Sequence, residues 1–491
     1  MATSSLSLNL GIDFGTQYTK VCVRDTDHDE SWVVIPGNPA TRIEGGLITS
    51  QVGIHSDGRL IAGLTQPEWR HYLTTHPDLF IVDFIKMRLA RLDPGREASN
   101  WYTSKLPTVQ GVNLSNPESY ENLCAFFLYR VIRRSKDWIY RYNADLLKGV
   151  EVDWSAIVGV PVEYCDSPAL ARFHRVLCLA WHLSVYNVGQ VTLSTVDKYL
   201  RKLRSSLDIS EMPCFTVPEM AAAVYSYTFS RQAKRGTYVF FDIGGGTMEG
   251  AAFRFHRNNI DETPQIDFLS GLVEPVGVNA LAKRIAHSSL DLERKIEFSI
   301  INNSSAWVAK IDELSKLYKK RLKISESGDV IANKHGIPVR VIQNDLRPDN
   351  FNMYATQILI LAQSLIHRQV AAVLGDCRRK LPMHEIQNIS VFLGGGGMVS
   401  NYYIDTIEST YDAFHLGSTG MPRYKMRNIP VPGDFSMSGL EEDDFHRFSI
   451  AYGLSIPDYD APEFKLPTQM PHTPPPAKGP RWIPESSEDD G

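Results

Sequence analysis

Apolar residues along the chain follow two periods, and the points where the period changes mark the predicted elements. The run Leu8–Ile12 leads into a polar turn, Gly15–Thr19, and a second run, Lys20–Arg24, so the chain opens on a predicted hairpin. Tyr120–Tyr142 carries its apolar residues at helical spacing. Trp154–Val160 is almost wholly apolar and stops at Pro161, the pattern of a strand buried on both faces, and Pro168–Leu183 returns to helical spacing. From Gly236 to Phe255 the opening pattern recurs: an apolar strand Tyr238–Phe241, a glycine turn and a returning strand Gly250–Phe255. Ile389–Leu393 is a further buried strand, followed by four glycines and a helix from Asn401. Strands alternating with helices predict an α/β fold. The longest apolar stretch, Met353–Leu374, is interrupted by Gln357, Gln363, His367, Arg368 and Gln369; it reads as too polar for a bilayer span and suits an amphipathic helix. Past Leu454 the pattern ends. Residues 457–491 hold nine of the 28 prolines and close on the acidic run Glu485–Asp490, so a disordered Pro-rich tail is expected there.

Composition narrows the class. With 491 residues, 43% of them hydrophobic, the chain has enough apolar surface for two lobes. A formal net charge of −5 provides no global basic field, which disfavours nucleic acid as a partner. The six cysteines are scattered, with no pair at the two-residue spacing of zinc or thiol-exchange motifs, so they read as reduced structural thiols. Met1–Ser7 lacks the features of a secretory signal; a cytoplasmic location follows, with the nucleus left open.

Two glycine turns carry the candidate chemistry. Asp13-Phe14-Gly15-Thr16-Gln17-Tyr18 places a carboxylate at the end of a buried strand just before a turn, and Asp242-Ile243-Gly244-Gly245-Gly246-Thr247 repeats the arrangement. Such turns suit phosphate, because glycine lets the backbone approach and successive N–H groups form an anion nest. Two carboxylates aimed at one space suit a hydrated Mg²⁺, which keeps several waters and bridges phosphate oxygens to protein. Either turn alone also spells an ordinary hairpin; the pair suggests two related half-domains with a nucleotide between them. A third cluster, Gly394-Gly395-Gly396-Gly397, offers bare backbone on which a base or ribose can lie.

Taken in order, these segments resemble the nucleotide-binding domain of the heat-shock protein 70 chaperones, within the actin-like ATPase superfamily. Gly11–Thr16 resembles that family's first phosphate motif, Phe241–Thr247 the second and Phe392–Gly397 its adenosine motif. Val158–Pro161 with Asp166 is similar to the first connecting segment, Ala221–Tyr225 to the alanine helix by the hinge, and Ala451-Tyr452-Gly453 to the last helix. The glycine-rich adenosine motif is most similar to a divergent fungal-type branch.

The resemblance implies a ribonuclease H-like, duplicated fold with a central nucleotide cleft: lobe I over 1–228 with an inserted helix at about 188–213, lobe II over 229–440, and a final helix over 441–456. It implies ATP or ADP with Mg²⁺ as ligands, the cation and its waters organised by Asp13 and Asp242. Thr16, Gln17 and Tyr18 would lie at the phosphates on one side, Gly244, Gly245, Gly246, Thr247 and Gly277 on the other, and Lys86 would reach the γ-phosphate. Glu249 falls where the family carries aspartate. Some positions depart from the family. Pro218 stands at its water-positioning glutamate, with Glu219 one place later, and Met398 replaces the arginine that stacks on adenine. Lys316 and Lys320 fall near its adenosine contacts. The insert predicts a helix Thr195–Leu207 capped by Ser194 and rich in basic residues, a partner surface or mere decoration.

The expected function is a slow ATPase acting as a nucleotide-dependent switch, chaperone-like but lacking a peptide-binding domain, with unidentified protein partners and no membrane. A pseudo-ATPase scaffold and, more remotely, a sugar kinase are the alternatives.

Overall fold

The computed structural model describes residues 5–90, 106–185, 191–228, 233–257, 263–288, 304–324, 351–415 and 422–470. It is a mixed α/β fold organised on two large sheets. The first contains β1 (Ser5–Phe14), β2 (Tyr18–Asp25), β3 (Glu30–Val33), the short β4 (Ile48–Thr49), β5 (Glu151–Val160) and β6 (Cys214–Pro218). The second contains β7 (Gly236–Ile243), β8 (Met248–Arg257), β9 (Pro264–Glu274), β10 (Ile389–Gly394) and β11 (Tyr424–Arg427). Two late strands complete them: β12 (Phe435–Ser436) on the first and β13 (Glu463–Lys465) on the second.

The strand order is β6-β5-β1-β2-β3-β12 in one sheet and β11-β10-β7-β8-β9-β13 in the other. In both, the first-hairpin strands run antiparallel and the inner strand of that hairpin pairs parallel with a strand from much later in the chain, Ile12 beside Val158 and Phe241 beside Leu393. The run Leu6–Phe14 is interrupted in its burial only at Ser7, which fits a central strand covered on both faces.

One large core joins β1, β2 and β5 to the helices Pro117–Tyr142 and Pro168–Val185, and extends to the side chains of Tyr238, Phe240 and Phe253 on one face of the second sheet. The other face, with Val239 and Phe241, packs on the helices Phe351–Lys380 and Asn401–His415 in a second core. Ala355–Lys380 is long and apolar enough to cross a membrane by length and composition, against the sequence expectation. It lies on β8 and β9 with Gln369 buried and its side-chain amide donating to the Met248 carbonyl.

Two glycines allow the last helix, Ser449–Ser455, to lie flat across this frame. A Cβ on Gly11 would stand 2.2 Å from the Ala451 carbonyl oxygen, and one on Gly453 would stand 1.9 Å from that of Ala222 in the helix Glu219–Thr228.

Three expectations are corrected. The inserted helix is Leu193–Arg204, capped by Thr192 rather than Ser194, because the Thr192 hydroxyl and the Thr195 side chain close a reciprocal capping box. The chain rejoins the first sheet at Phe435, before residue 441, through pairing of β12 with β3. The tail is not wholly without structure: β13 pairs with β9, and Lys380 Nζ donates to the Pro467 carbonyl at 2.7 Å. Residues 471–491 lie outside the described residues.

Candidate functional site

Hairpin register builds the site. In β1–β2, Asp13 stands directly across from Lys20; in β7–β8, Asp242 stands across from Glu249. Cross-strand partners share a face, so each hairpin presents a pair of ionisable groups beside its glycine turn. Lys20 Nζ forms an ion pair with the buried Asp13 Oδ2. The turns touch: a Cβ on Gly245 would lie 2.3 Å from Gln17 Cβ, and one on Gly246 2.2 Å from Thr16 Cγ2. Behind the second turn, Gly277 N–H donates to the Gly246 carbonyl and Asn279 N–H to that of Gly245, so the Gly277 loop holds the turn in shape. No side chain fits there, since a Cβ on Gly277 would meet the Gly244 oxygen at 2.6 Å.

Lys86 enters from a short helix, Ile85–Ala90, set up by an unusual residue. Phe84 has φ +52°, a left-handed conformation that a bulky side chain adopts at a cost of about 1 kcal/mol or more. Lys283 Nζ lies over the Phe84 ring and pairs with Asp83, tying this segment to the helix Val278–Ser288. Lys86, 5% exposed, donates to both oxygens of Glu219 at 2.6 and 2.7 Å and lies 3.6 Å from Glu249 Oε1. The one-residue offset after Pro218 does not keep Glu219 out of this cluster, because it is the first residue of the alanine helix and its side chain points back under β5.

The electrostatics are those of a site with surplus carboxylate. Four acids (Asp13, Glu219, Asp242, Glu249) stand against two ammonium groups, Lys20 and Lys86, and the guanidinium of Arg447. Burial raises the Asp242 carboxyl to about 6, helped by Asp13 and Glu219 and opposed by Lys20 and Lys86. Burial also pushes Glu219 upward, and Glu249 well upward, Lys86 opposing in each case. Lys86 itself stays charged: burial works against its ammonium, and Glu219, Glu249 and Asp13 override it. The second Glu249 oxygen is buried without a hydrogen bond. These groups fit a divalent cation by charge. Among the described residues no three His, Cys, Asp or Glu side chains converge to enclose one, so such a cation would take most of its ligands from water and substrate oxygens.

A cavity of about 50 Å³ lies between the turns. Its walls include Asp13, Asp242, Glu249 and Lys86; Gly15, Thr16, Gln17 and Tyr18 from the first turn; Gly244, Gly245 and Thr247 from the second; and Gly395, Gly396 and Gly397 from the third cluster. Glu219, paired with Lys86, and Gly277, behind the second turn, are not on this wall, and four more expected residues are elsewhere. Gly394 is the last residue of β10, Gly246 is covered by Thr16 and Met87, Met398 packs against the second core, and Lys316 is exposed on the helix Ser304–Ile324. The Lys320 side chain lies outside the described residues. Three polar wall residues were not anticipated: Lys20, Asn279 and Arg447. The register of the opening hairpin signals Lys20, since it must face Asp13 once the turn length is known. Arg447 has no such signal. It comes from the turn Glu442–Arg447, far along the chain, and its guanidinium lies 3.3 Å from where a Gly396 Cβ would be, with Nε buried and without a hydrogen-bond acceptor.

Comparison of the sequence with models of known protein families gives no match, and comparison with curated proteins gives none either.

Proposed function

We propose that this chain is a two-lobed, actin-like ATP-binding protein, similar to the nucleotide-binding domain of the heat-shock protein 70 chaperones. In this reading it hydrolyses ATP slowly with Mg²⁺ in the cytoplasm and serves as a switch read by a protein partner. The observation that carries the reading is the convergence of four acids with Lys20, Lys86 and Arg447 beside two touching glycine turns, a set in which acids outnumber basic groups and a cation would offset the excess. The repeated strand order supports duplicated lobes.

Bound Mg-ATP would supply the cation and the phosphoryl group to be transferred. Asp13 and Asp242 would hold such a cation through its waters. Lys86, fixed by Glu219, keeps a positive charge at the cleft floor, where charge develops during phosphoryl transfer. The turns at Thr16–Gln17 and Gly244–Thr247 receive phosphate oxygens, and the backbone of Gly395–Gly397 with Arg447 forms the wall on the nucleoside side.

One observation favours a second reading, a scaffold that binds nucleotide weakly or never turns it over. The cavity accommodates a few waters at about 50 Å³, and the glycine turns are already in contact. Nucleotide entry therefore requires the two hairpins to part. Thermal denaturation with ATP or ADP, with and without Mg²⁺, combined with phosphate release in the absence of an acceptor, separates the readings. A Mg²⁺-dependent rise in melting temperature with slow phosphate release supports the ATPase; a rise without release supports the scaffold; release only with added sugar makes it a kinase.

A further inference from the structure

The end of the second sheet remote from the glycine turns is strongly basic, although the chain as a whole carries a net charge of −5. Two open cavities lie there, of about 750 and 980 Å³, and they run together through Asn388 and Ser390 at the start of β10. The first is lined by Lys234, Arg235, Arg254 and Arg257, with His256 and His384. The second takes Arg423, Lys425 and Arg427 from the edge strand β11 and its approach. Seven Lys and Arg residues thus face two lining carboxylates, Glu385 and Glu408. Part of this charge is used internally: Arg254 pairs with Asp267 and Glu385, and His256 with Asp267. Lys425 and Arg427 project from the same face of β11, both exposed, and neither is in an ion pair among the described residues. The hydroxyl of Thr237, on the first cavity wall, is buried without a hydrogen-bond partner. A charged edge strand by itself guards against aggregation, but it does not require a trough spanning five strands in which basic side chains outnumber acidic ones seven to two.

We propose that this trough is a docking surface for an acidic peptide segment, and that the segment it holds is the run Glu485–Asp490 of the same chain. Charge complementarity selects the run: it contains four carboxylates in six residues, Glu485, Glu488, Asp489 and Asp490. The path of the chain selects it too. Pro467 is tied to Lys380, and from Lys380 the chain passes directly to the turn Met383–Glu385, whose His384 and Glu385 line the trough. Fourteen residues lie between Met470 and Glu485, a reach of up to ~50 Å when extended, and tethering on that scale gives an effective concentration on the order of millimolar. The trough is distinct from the glycine-turn cleft and the proposal does not depend on nucleotide binding.

Zero-length carbodiimide coupling of the intact chain tests this, because it joins lysine amines only to carboxylates they touch. At low salt, peptide mapping of the monomer band is expected to join Lys234 or Lys425 to a carboxylate within 485–490. That coupling is expected to fall at least about fivefold at ~0.5 M salt, where the Debye length shrinks below 5 Å. It is expected to fall similarly in Arg423→Glu/Arg427→Glu, both exposed positions on the trough wall. Absence of coupling at these two lysines, or coupling indifferent to both the salt and the double substitution, overturns the proposal. So does a short single-stranded RNA that binds the intact chain with micromolar affinity and protects Lys234 and Lys425 from coupling, which assigns the trough to nucleic acid.

Discussion

At the scale of single residues, the proposed cleft should report itself through protons. Asp242 titrates at about 6 in the folded chain against an ordinary 3.8, so between those values the folded state holds a proton that the unfolded state has released. Stability should therefore fall as pH rises from about 4 to about 6, by on the order of 2 kcal/mol. Asp242→Asn is expected to remove this loss, so that urea unfolding midpoints of the variant differ less between pH ~4.5 and ~7 than those of the natural chain. An unchanged difference would show that Asp242 is not held in a low-dielectric, cation-poor site. Lys86→Ala leaves Glu219 and Glu249 buried without their ammonium, and the cost is expected to be ~3 kcal/mol or more at pH ~8. Because both carboxyls are already biased toward the neutral form, the penalty should shrink at pH ~5; an equal penalty at both would contradict the assignment. Asp13, Asp242 and the glycine turns were legible because strand ends and glycines leave a local signature; Lys86 carries none and was reached only through the family resemblance. Arg447 was not, since only the return of the chain across the first sheet after β11 brings it to Gly396.

Elements were legible where one period held over many residues. Tyr120–Tyr142 and Pro168–Leu183 match the helices Pro117–Tyr142 and Pro168–Val185 nearly end to end. The inserted helix shows what periodicity leaves out. Its basic residues suggested a partner surface, but Arg201 reaches Glu118 and Ser119, and Arg204 reaches Glu121 and Asn122, all on the helix Pro117–Tyr142. Charge composition alone carries no information about which arginines a neighbouring helix has taken. Arg204→Ala is expected to cost about 1–3 kcal/mol in denaturant unfolding and exposed Lys198→Ala within about 0.5 kcal/mol of nothing. Equal effects would mean that the helix is not clamped through Arg204. The contact of Gly453 with Ala222 sets a sharper requirement. Gly453→Ala has no room, the obstacle is backbone, and the expected outcome is a loss of at least about 2 kcal/mol or failure to fold.

At the scale of the whole molecule, two sheets of the same strand order place their hairpin turns against each other, and the acids they carry converge with Lys20, Lys86 and Arg447. The α/β class was readable from alternation along the chain. The late exchanges between sheets, β12 onto the first and β13 onto the second, were not, because strands of two or three residues are too short for any period to register. The proline-rich composition likewise hid β13, which is held by pairing with β9 rather than by apolar content of its own. If the cleft is a nucleotide site, binding must part the turns around Thr16 and Gly246, and the energy for that must come from cation and phosphate together. Thermal denaturation of the intact chain in Mg-ATP, ATP with chelator and Mg²⁺ alone is the most direct measurement. A melting temperature raised by about 2–4 °C with Mg-ATP, with a smaller effect from either component, is predicted for ligand near 100 times Kd, and Asp13→Asn should abolish the synergy. A melting temperature indifferent to Mg-ATP at millimolar concentration would contradict the account.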